Sequence, residues 1–426
     1  MTTPSTPAPP DWYRDGIDHV WLPYTQMKTA RPPLPVAATR GSDIELADGR
    51  VLIDGIASWW TAVHGYNHPH IQAAVRDQLE RVPHVMFGGL VHEPAMRLSR
   101  RLADLLPGDL ERVFLAESGS VSVEIALKMA MQVWMNRGER RMKFVFFRHG
   151  YHGDTAGTMA VCDPDEGMHT RFQGYLPQHV MAELPETDTQ AAAFDALLAQ
   201  HAHELAGVIV EPLVQGAGGM RFHSSETLRR IADITRRHGL LLIADEIFTG
   251  FARTGTMFAC EQADVVPDIV TLSKALTGGV CPLSACVARR EVYDAFLSDD
   301  PEAALMHGPT YMAHALGCAA ANASLDLFAS EDRLGQAAAI GAQMARELAP
   351  CRDLPAVTDV RVMGALGVVE LREQPDTDAL RAAFIARGVW IRPIGRVIYL
   401  SPALTIESQA LSRLTGAIVE VLKDEG

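Results

Sequence analysis

The chain has 426 residues, a formal net charge of −14, 48% hydrophobic residues, 21% charged residues and six cysteines. Enough apolar side chain is present to offset the ordering entropy of a large core, so a disordered protein is excluded, and the acidic balance without clustered Lys and Arg argues against a nucleic-acid partner. The length fits about three domain-sized units, or one large α/β unit with a smaller appendage.

Residues 1–10 are proline-rich, with neither a basic start nor an apolar signal core, and read as a disordered arm. No apolar run approaches the roughly 18 residues of a membrane span, so no membrane association is expected. Cys162, Cys260, Cys281, Cys286, Cys318 and Cys351 form no C-x-x-C pair, which disfavours disulfides and zinc and suggests a reducing cytoplasm.

After the arm, Asp48-Gly49 between two short apolar runs predicts a hairpin over 44–53. Helical periodicity runs through about 69–81 and 94–106. From Arg112 onward, short runs apolar throughout (112–115, 143–147, 207–210, 240–243, 268–272, 283–287) alternate with amphipathic helices. Such runs predict an α/β fold, with a mostly parallel sheet covered by helices on both faces. A long helical stretch near 312–348 follows, then strands near 358–370 and 396–401 and helices near 377–387 and 406–423, a pattern that reads as a smaller α+β domain. The expected division is a large domain over 61–330, a small one over 331–426, and an N-terminal segment over 11–60 packing with the small domain.

Ligands of open α/β sheets sit at the carboxyl ends of strands, so polar residues directly after the apolar runs are the candidates. Asp245 and Glu246, Lys274 and Glu211 all stand there. A lysine and an aspartate held at buried strand ends lose hydration and need a charged partner, such as a bound cofactor. Gly119-Ser120 opens a helix and suits a phosphate, although by spacing alone Ser120 reads more simply as an N-cap. Gln215-Gly-Ala-Gly-Gly-Met220 is glycine-rich but is not a dinucleotide fingerprint, and no nucleoside-triphosphate loop exists. His149-Gly-Tyr-His152 has the spacing of two metal ligands but no third nearby, so no metal is expected. His64, His68 and His70 read as turn and capping residues. Trp59-Trp60 cannot both face one side of a strand, so one of them should meet a pocket or an interface.

Three runs carry a specific resemblance: Leu242-Ile-Ala-Asp-Glu-Ile-Phe-Thr-Gly-Phe-Ala-Arg-Thr-Gly255, Asp268-Ile-Val-Thr-Leu-Ser-Lys-Ala-Leu-Thr-Gly-Gly279 and His307-Gly-Pro-Thr-Tyr-Met-Ala-His314. In order and spacing the chain resembles the class III pyridoxal-phosphate aminotransferases of fold type I, over nearly its whole length. Trp21-Leu-Pro-Tyr-Thr-Gln-Met27, Ser58-Trp-Trp60, Gly150-Tyr-His-Gly-Asp-Thr155 and Gly388-Val-Trp-Ile-Arg-Pro-Ile-Gly395 are similar to the branch that aminates 8-amino-7-oxononanoate with S-adenosylmethionine in biotin formation. Departures are Leu22 where that pattern often has histidine, Ala252 where it usually has glycine, and His314-Ala315.

The resemblance implies pyridoxal 5'-phosphate as cofactor, carried by the Lys274 amine, which also moves the proton. Asp245 would face the ring nitrogen, Tyr151 and Ile247 the two ring faces, and Glu211 would support Asp245. Gly119 and Ser120 would hold the phosphate together with Pro309 and Thr310 from a partner subunit, which implies a homodimer with active sites at the subunit interface. Tyr24, Trp59, Trp60, Asp154, Arg253, Gly308 and Arg392 would contact the small-molecule substrates, with Arg392 taking the acceptor's distal carboxylate. Another class III aminotransferase, acting on a diamine, ornithine or a β-amino acid, is the alternative.

Overall fold

The computed structural model describes residues 8–165 and 168–424. Of the arm expected over 1–10, residues 1–7 lie outside that range, and Pro10 precedes a short helix, Asp11–Gly16.

A seven-stranded sheet forms the centre. Across it the order is Leu110–Ala116, Ser284–Arg289, Ile269–Leu272, Leu241–Asp245, Leu205–Val210, Lys143–Phe147 and Val180–Ala182. Only Ser284–Arg289 runs antiparallel to its neighbours. Leu205–Val210 and Leu241–Asp245 are buried at every residue, because helices cover both faces of the sheet, and this is why they read as unbroken apolar runs. The helix Gly119–Asn136 buries Val123, Ile125, Ala126, Leu127 and Ala130 against the sheet. Glu93–Leu105 packs Ala95, Leu98 and Leu102, a single helical face.

The expected helical stretch near 312–348 is two helices, Ala315–Ser330 and Arg333–Glu347, parted where Asp332 caps the second by accepting from the Gly335 N–H. Beyond them, Val357–Met363, Leu366–Leu371 and Val397–Leu400 form an antiparallel sheet, and one continuous core runs from Val208 and Leu242 through Phe251 to Val368 and Leu414. The expected hairpin is present as Asp43–Leu46 and Val51–Asp54 around Gly49. Its second strand pairs in parallel with Val389–Trp390, so a segment near the start of the chain is stitched to one near its end.

Trp59 and Trp60 do not lie on a strand. Ala57, Ser58, Trp59 and Trp60 all have positive φ, between 45° and 73°, and make a left-handed turn that costs roughly 1–2 kcal/mol per non-glycine residue. Buried Asp54 braces it: its carboxylate accepts from Ile56 N–H and Ser58 N–H, both at 2.8 Å, and from the Tyr66 hydroxyl at 2.6 Å. The turn aims Trp60 inward and leaves Trp59 half-buried above it. Asp54→Ala strips one buried and two part-buried donors of their acceptor and should lower stability by about 3 kcal/mol, seen as a lower urea midpoint. Asp54→Asn, which keeps one acceptor oxygen, should lose less.

Candidate active site

Parallel pairing sets Asp245 beside Thr271, three residues before Lys274, so one register brings the aspartate and the lysine to the same edge of the sheet. Lys274 has φ +48° and opens a short 3-10 turn that Gly278 closes at φ +63°. Asp245 and Lys274 border a hollow of about 170 Å³, also lined by Ser120, Tyr151, Glu211 and Ile247. The Lys274 Nζ lies 4.5 Å from the Trp60 ring centroid and 5.7 Å from that of Phe248. Burial pushes its ammonium down to about 8, against the opposing pull of Asp245, Glu211 and Asp154.

The Asp245 carboxylate is held on several sides. Oδ2 meets His152 Nδ1 at 2.7 Å, and Oδ1 accepts from Thr271 Oγ1 and Ile247 N–H, both at 3.1 Å. Glu211 accepts from Tyr151 N–H at 3.0 Å and Gly216 N–H at 2.9 Å. Burial pushes its carboxyl up to about 7, with the charge of Asp245 adding to the rise and His152 opposing it. Glu246 faces away, accepting from Thr249 Oγ1, Ala259 N–H and Cys260 N–H.

At the opposite wall the helix Gly119–Asn136 begins. Its N-cap is Ser118, whose Oγ accepts from Val121 N–H, so the capping role expected of Ser120 belongs to its neighbour. Ser120 Oγ instead accepts from Asp154 N–H at 3.1 Å, leaving its own proton to donate. A Cβ on Gly153 would lie 2.2 Å from Ser120 Oγ, which shows how closely the two segments approach.

The rim is aromatic and polar. Tyr24 and Tyr151 hydroxyls both donate to Asp154, the latter at 2.9 Å, and lie 3.3 Å from each other. Burial and the acidic neighbour push Tyr24 up to about 12, so it stays a donor. Tyr24 meets Trp59 edge-on, and the Arg392 guanidinium stacks over Trp59 at 4.4 Å. Among the described residues no carboxylate lies within ion-pair distance of Arg392. Arg253 is buried away from the hollow's lining, donating from Nη1 to Pro402 O at 2.8 Å. Pro309 and Thr310 line a separate hollow with Glu117, Pro282, Tyr311 and His314, while Gly308 is exposed.

Residues 24–422 match the profile of the Aminotransferase class-III family. The chain belongs to that family. It is 44% identical over 413 residues to the adenosylmethionine-8-amino-7-oxononanoate aminotransferase of Mycobacterium leprae, covering 95% of this chain and 94% of the other. Identity to the protein of the same name from Buchnera aphidicola subsp. Acyrthosiphon pisum is 40% over 411 residues, covering 95% and 96%. The crystal structure of the protein of that name from Methanocaldococcus jannaschii superposes with a TM-score of 0.92 at 31% identity, over 97% of this chain and 98% of that one. An amine transaminase from an uncultivated Pseudomonas species, crystallised with PLP bound, superposes with a TM-score of 0.87 at 31% identity, over 96% and 99%.

Class III aminotransferases use pyridoxal phosphate, and so does this enzyme. The hollow fits that cofactor's chemistry: a helix N-terminus and a hydroxyl donor for a phosphate, a buried carboxylate for a ring nitrogen, and a buried amine between them. Sequence reasoning did not foresee His152 and Thr271 on Asp245, Phe248 beside the lysine, or the approach of Gly216-Ala217 to the hollow. His152 was visible only as half of a metal-like spacing, whereas its ring turns to the aspartate. Ala252 has φ +67°, which accounts for the usual glycine there.

An amine with a midpoint near 8 is mostly protonated at pH 7 and neutral above pH 9. In the cofactor-free protein, labelling of Lys274 by an amine reagent should therefore rise through a midpoint near pH 8, and Asp245→Asn, which removes the main favourable charge, should lower that midpoint. A midpoint near 10.5 in both proteins would show a solvated amine instead.

Proposed function

We propose that the protein transfers the amino group of S-adenosylmethionine to 8-amino-7-oxononanoate, giving 7,8-diaminononanoate, the amination step of biotin formation. The observation that carries this reading is identity of 37–44% over 95–96% of the chain to proteins named for that reaction, joined to a buried lysine that shares its hollow with Asp245. Enzyme and substrates would meet in the cytoplasm.

The bound cofactor supplies an electron sink for the substrate carbon. Lys274 would hold the cofactor through its amine and, as a neutral amine, would be the group that moves a proton at the substrate carbon, a role its lowered midpoint favours. Asp245, held by His152 and Thr271, keeps the ring nitrogen protonated, with Glu211 in support. Gly119 and Ser120 would hold the phosphate and Ile247 and Tyr151 would flank the ring, all four lining the hollow.

Arg392 takes the acceptor's distal carboxylate, a role supported by its stacking on Trp59 and by the absence, among the described residues, of a carboxylate within ion-pair distance of it. Tyr24, Trp59 and Trp60 wall the aliphatic chain and, with Asp154, can face the donor's sulfonium. Exposed Gly308 belongs to the substrate set as well, whereas Arg253, sealed beside Pro402 and away from the hollow's lining, would act on substrate only through its neighbours.

A homodimer with composite sites belongs to this reading. Pro309 and Thr310 lie outside the lysine hollow, and Met86, Leu90, Val91, Met306 and Tyr311 are exposed, the features of a face meant for a second copy that completes the phosphate site. The division at residue 330 is supported by the separate antiparallel sheet beyond it, and the packing of 11–60 on the small domain by the Val389–Trp390 pairing.

The purified protein should be yellow and should aminate 8-amino-7-oxononanoate with S-adenosylmethionine. Failure to aminate that acceptor with any donor would overturn the substrate assignment in favour of another class III substrate. Lys274→Ala should lose turnover by on the order of 10³-fold or more while staying folded. Arg392→Ala should raise KM for the acceptor by about 10- to 100-fold with little effect on the donor half-reaction, and equal effects on both would refute the carboxylate role.

A further inference from the structure

The turn carrying Lys274 is tied to a chain of buried polar groups that the transfer chemistry leaves unused. Arg333 is 1% exposed; its Nη1 meets the Glu331 carboxylate and Gln336 Oε1, both at 2.8 Å. Its Nε donates to His64 Nδ1 at 2.9 Å. A guanidinium only donates, so Nδ1 must accept and the ring proton sits on Nε2. Burial first, then Arg333 and His68, push the imidazole down to about 3, which keeps it neutral.

His64 Nε2 then donates to Ser324 Oγ at 3.0 Å, and Ser324 passes its own proton on toward Ala275 O at 3.4 Å. From Arg333 onward every donor points one way, through His64 and Ser324 to the residue directly after Lys274, while Glu331 and Gln336 accept from the far side of the guanidinium and anchor it. The same carbonyl accepts Gly278 N–H at 2.9 Å, closing the turn, and a Cβ on Gly278 would lie 3.5 Å from the His64 ring. His64 also follows the left-handed turn that puts Trp60 against Lys274, so the relay joins two walls of the hollow.

We propose that His64 and Ser324 are positioning residues for amino transfer: the one-way relay from Arg333 holds the left-handed turn at Lys274 and so aims its amine into the hollow. This rests on Lys274 being the reactive amine. A relay that only stabilised the fold would change melting behaviour without disturbing the lysine.

The test compares Ser324→Ala, His64→Leu and His64→Gln with the parent, each loaded with pyridoxal phosphate. The readouts are kcat, KM for each substrate, the visible circular dichroism of the bound cofactor, and Tm. Ser324→Ala and His64→Leu should lose about tenfold in kcat while each KM stays within about twofold, with a weakened dichroic band at equal cofactor content. His64→Gln can accept from Arg333 and donate to Ser324, and should restore both readouts to within about twofold. Ser324→Ala removes one oxygen, so the test stands if His64→Leu fails to fold.

A lower Tm with unchanged kcat and unchanged dichroism would overturn the proposal. In cofactor-free protein, Ser324→Ala should expose Lys274 to an amine reagent about threefold faster, and an unchanged rate would count equally against the relay. A parent protein that never binds pyridoxal phosphate would refute the reaction assigned above, while the labelling arm would still judge the relay.

Discussion

A lysine amine buried with two carboxylates is the constraint on which the rest of this structure depends. Burial disfavours the Lys274 ammonium, which Asp245 and Glu211 favour, and it disfavours the Glu211 carboxylate, which Asp245 also raises and which His152 and two backbone N–H groups hold down. The sheet supplies the geometry at no local cost, because parallel register puts Asp245 beside Thr271 and Lys274 one turn beyond. The helices on both faces then supply the burial. Neither the register nor the burial would place a reactive amine alone.

Holding the amine also requires backbone that neither helices nor strands provide. Lys274 and the run Ala57–Trp60 both sit at positive φ, on facing walls of the hollow, with Trp60 under the amine. Such conformations persist only where the surroundings over-determine them. Asp54 does this for one wall through three hydrogen bonds, and the Ala275 carbonyl, shared between Gly278 and Ser324, does it for the other.

Much of this was legible in the sequence, for a physical reason. Short unbroken apolar runs such as 207–210 and 240–243, spaced by amphipathic helices, are what strands covered on both faces require, and a polar residue directly after such a run marks the ligand edge. That logic reaches Asp245, Lys274 and Glu211 without coordinates. It stops at contacts made across long sequence separations: His152 on Asp245, His64 on Arg333, and Ser324 on Ala275 depend on how the elements pack. The tryptophan pair meets the hollow through Trp60 as its pattern requires, but on a turn and not a strand, because four consecutive left-handed residues without glycine defy local propensity. The signal behind them was Asp54, which sequence alone presents as an ordinary hairpin-end acid.

The cap of the helix at Gly119 shows how a small local rule decides chemistry. Serine at 118 and serine at 120 are equally good caps by composition, but a helix has one cap position. Because Ser118 takes it, Ser120 falls on the first turn with its hydroxyl turned to the hollow and fixed by Asp154 N–H. The neighbouring Gly153 has no Cβ, and any side chain there would collide with that hydroxyl. Gly153 also directly precedes Asp154, the acceptor for Tyr24 and Tyr151. One glycine thus lets a single segment, 151–154, serve both the anion end of the hollow and its aromatic rim, which ties the orientation of a bound cofactor to the place where substrate enters.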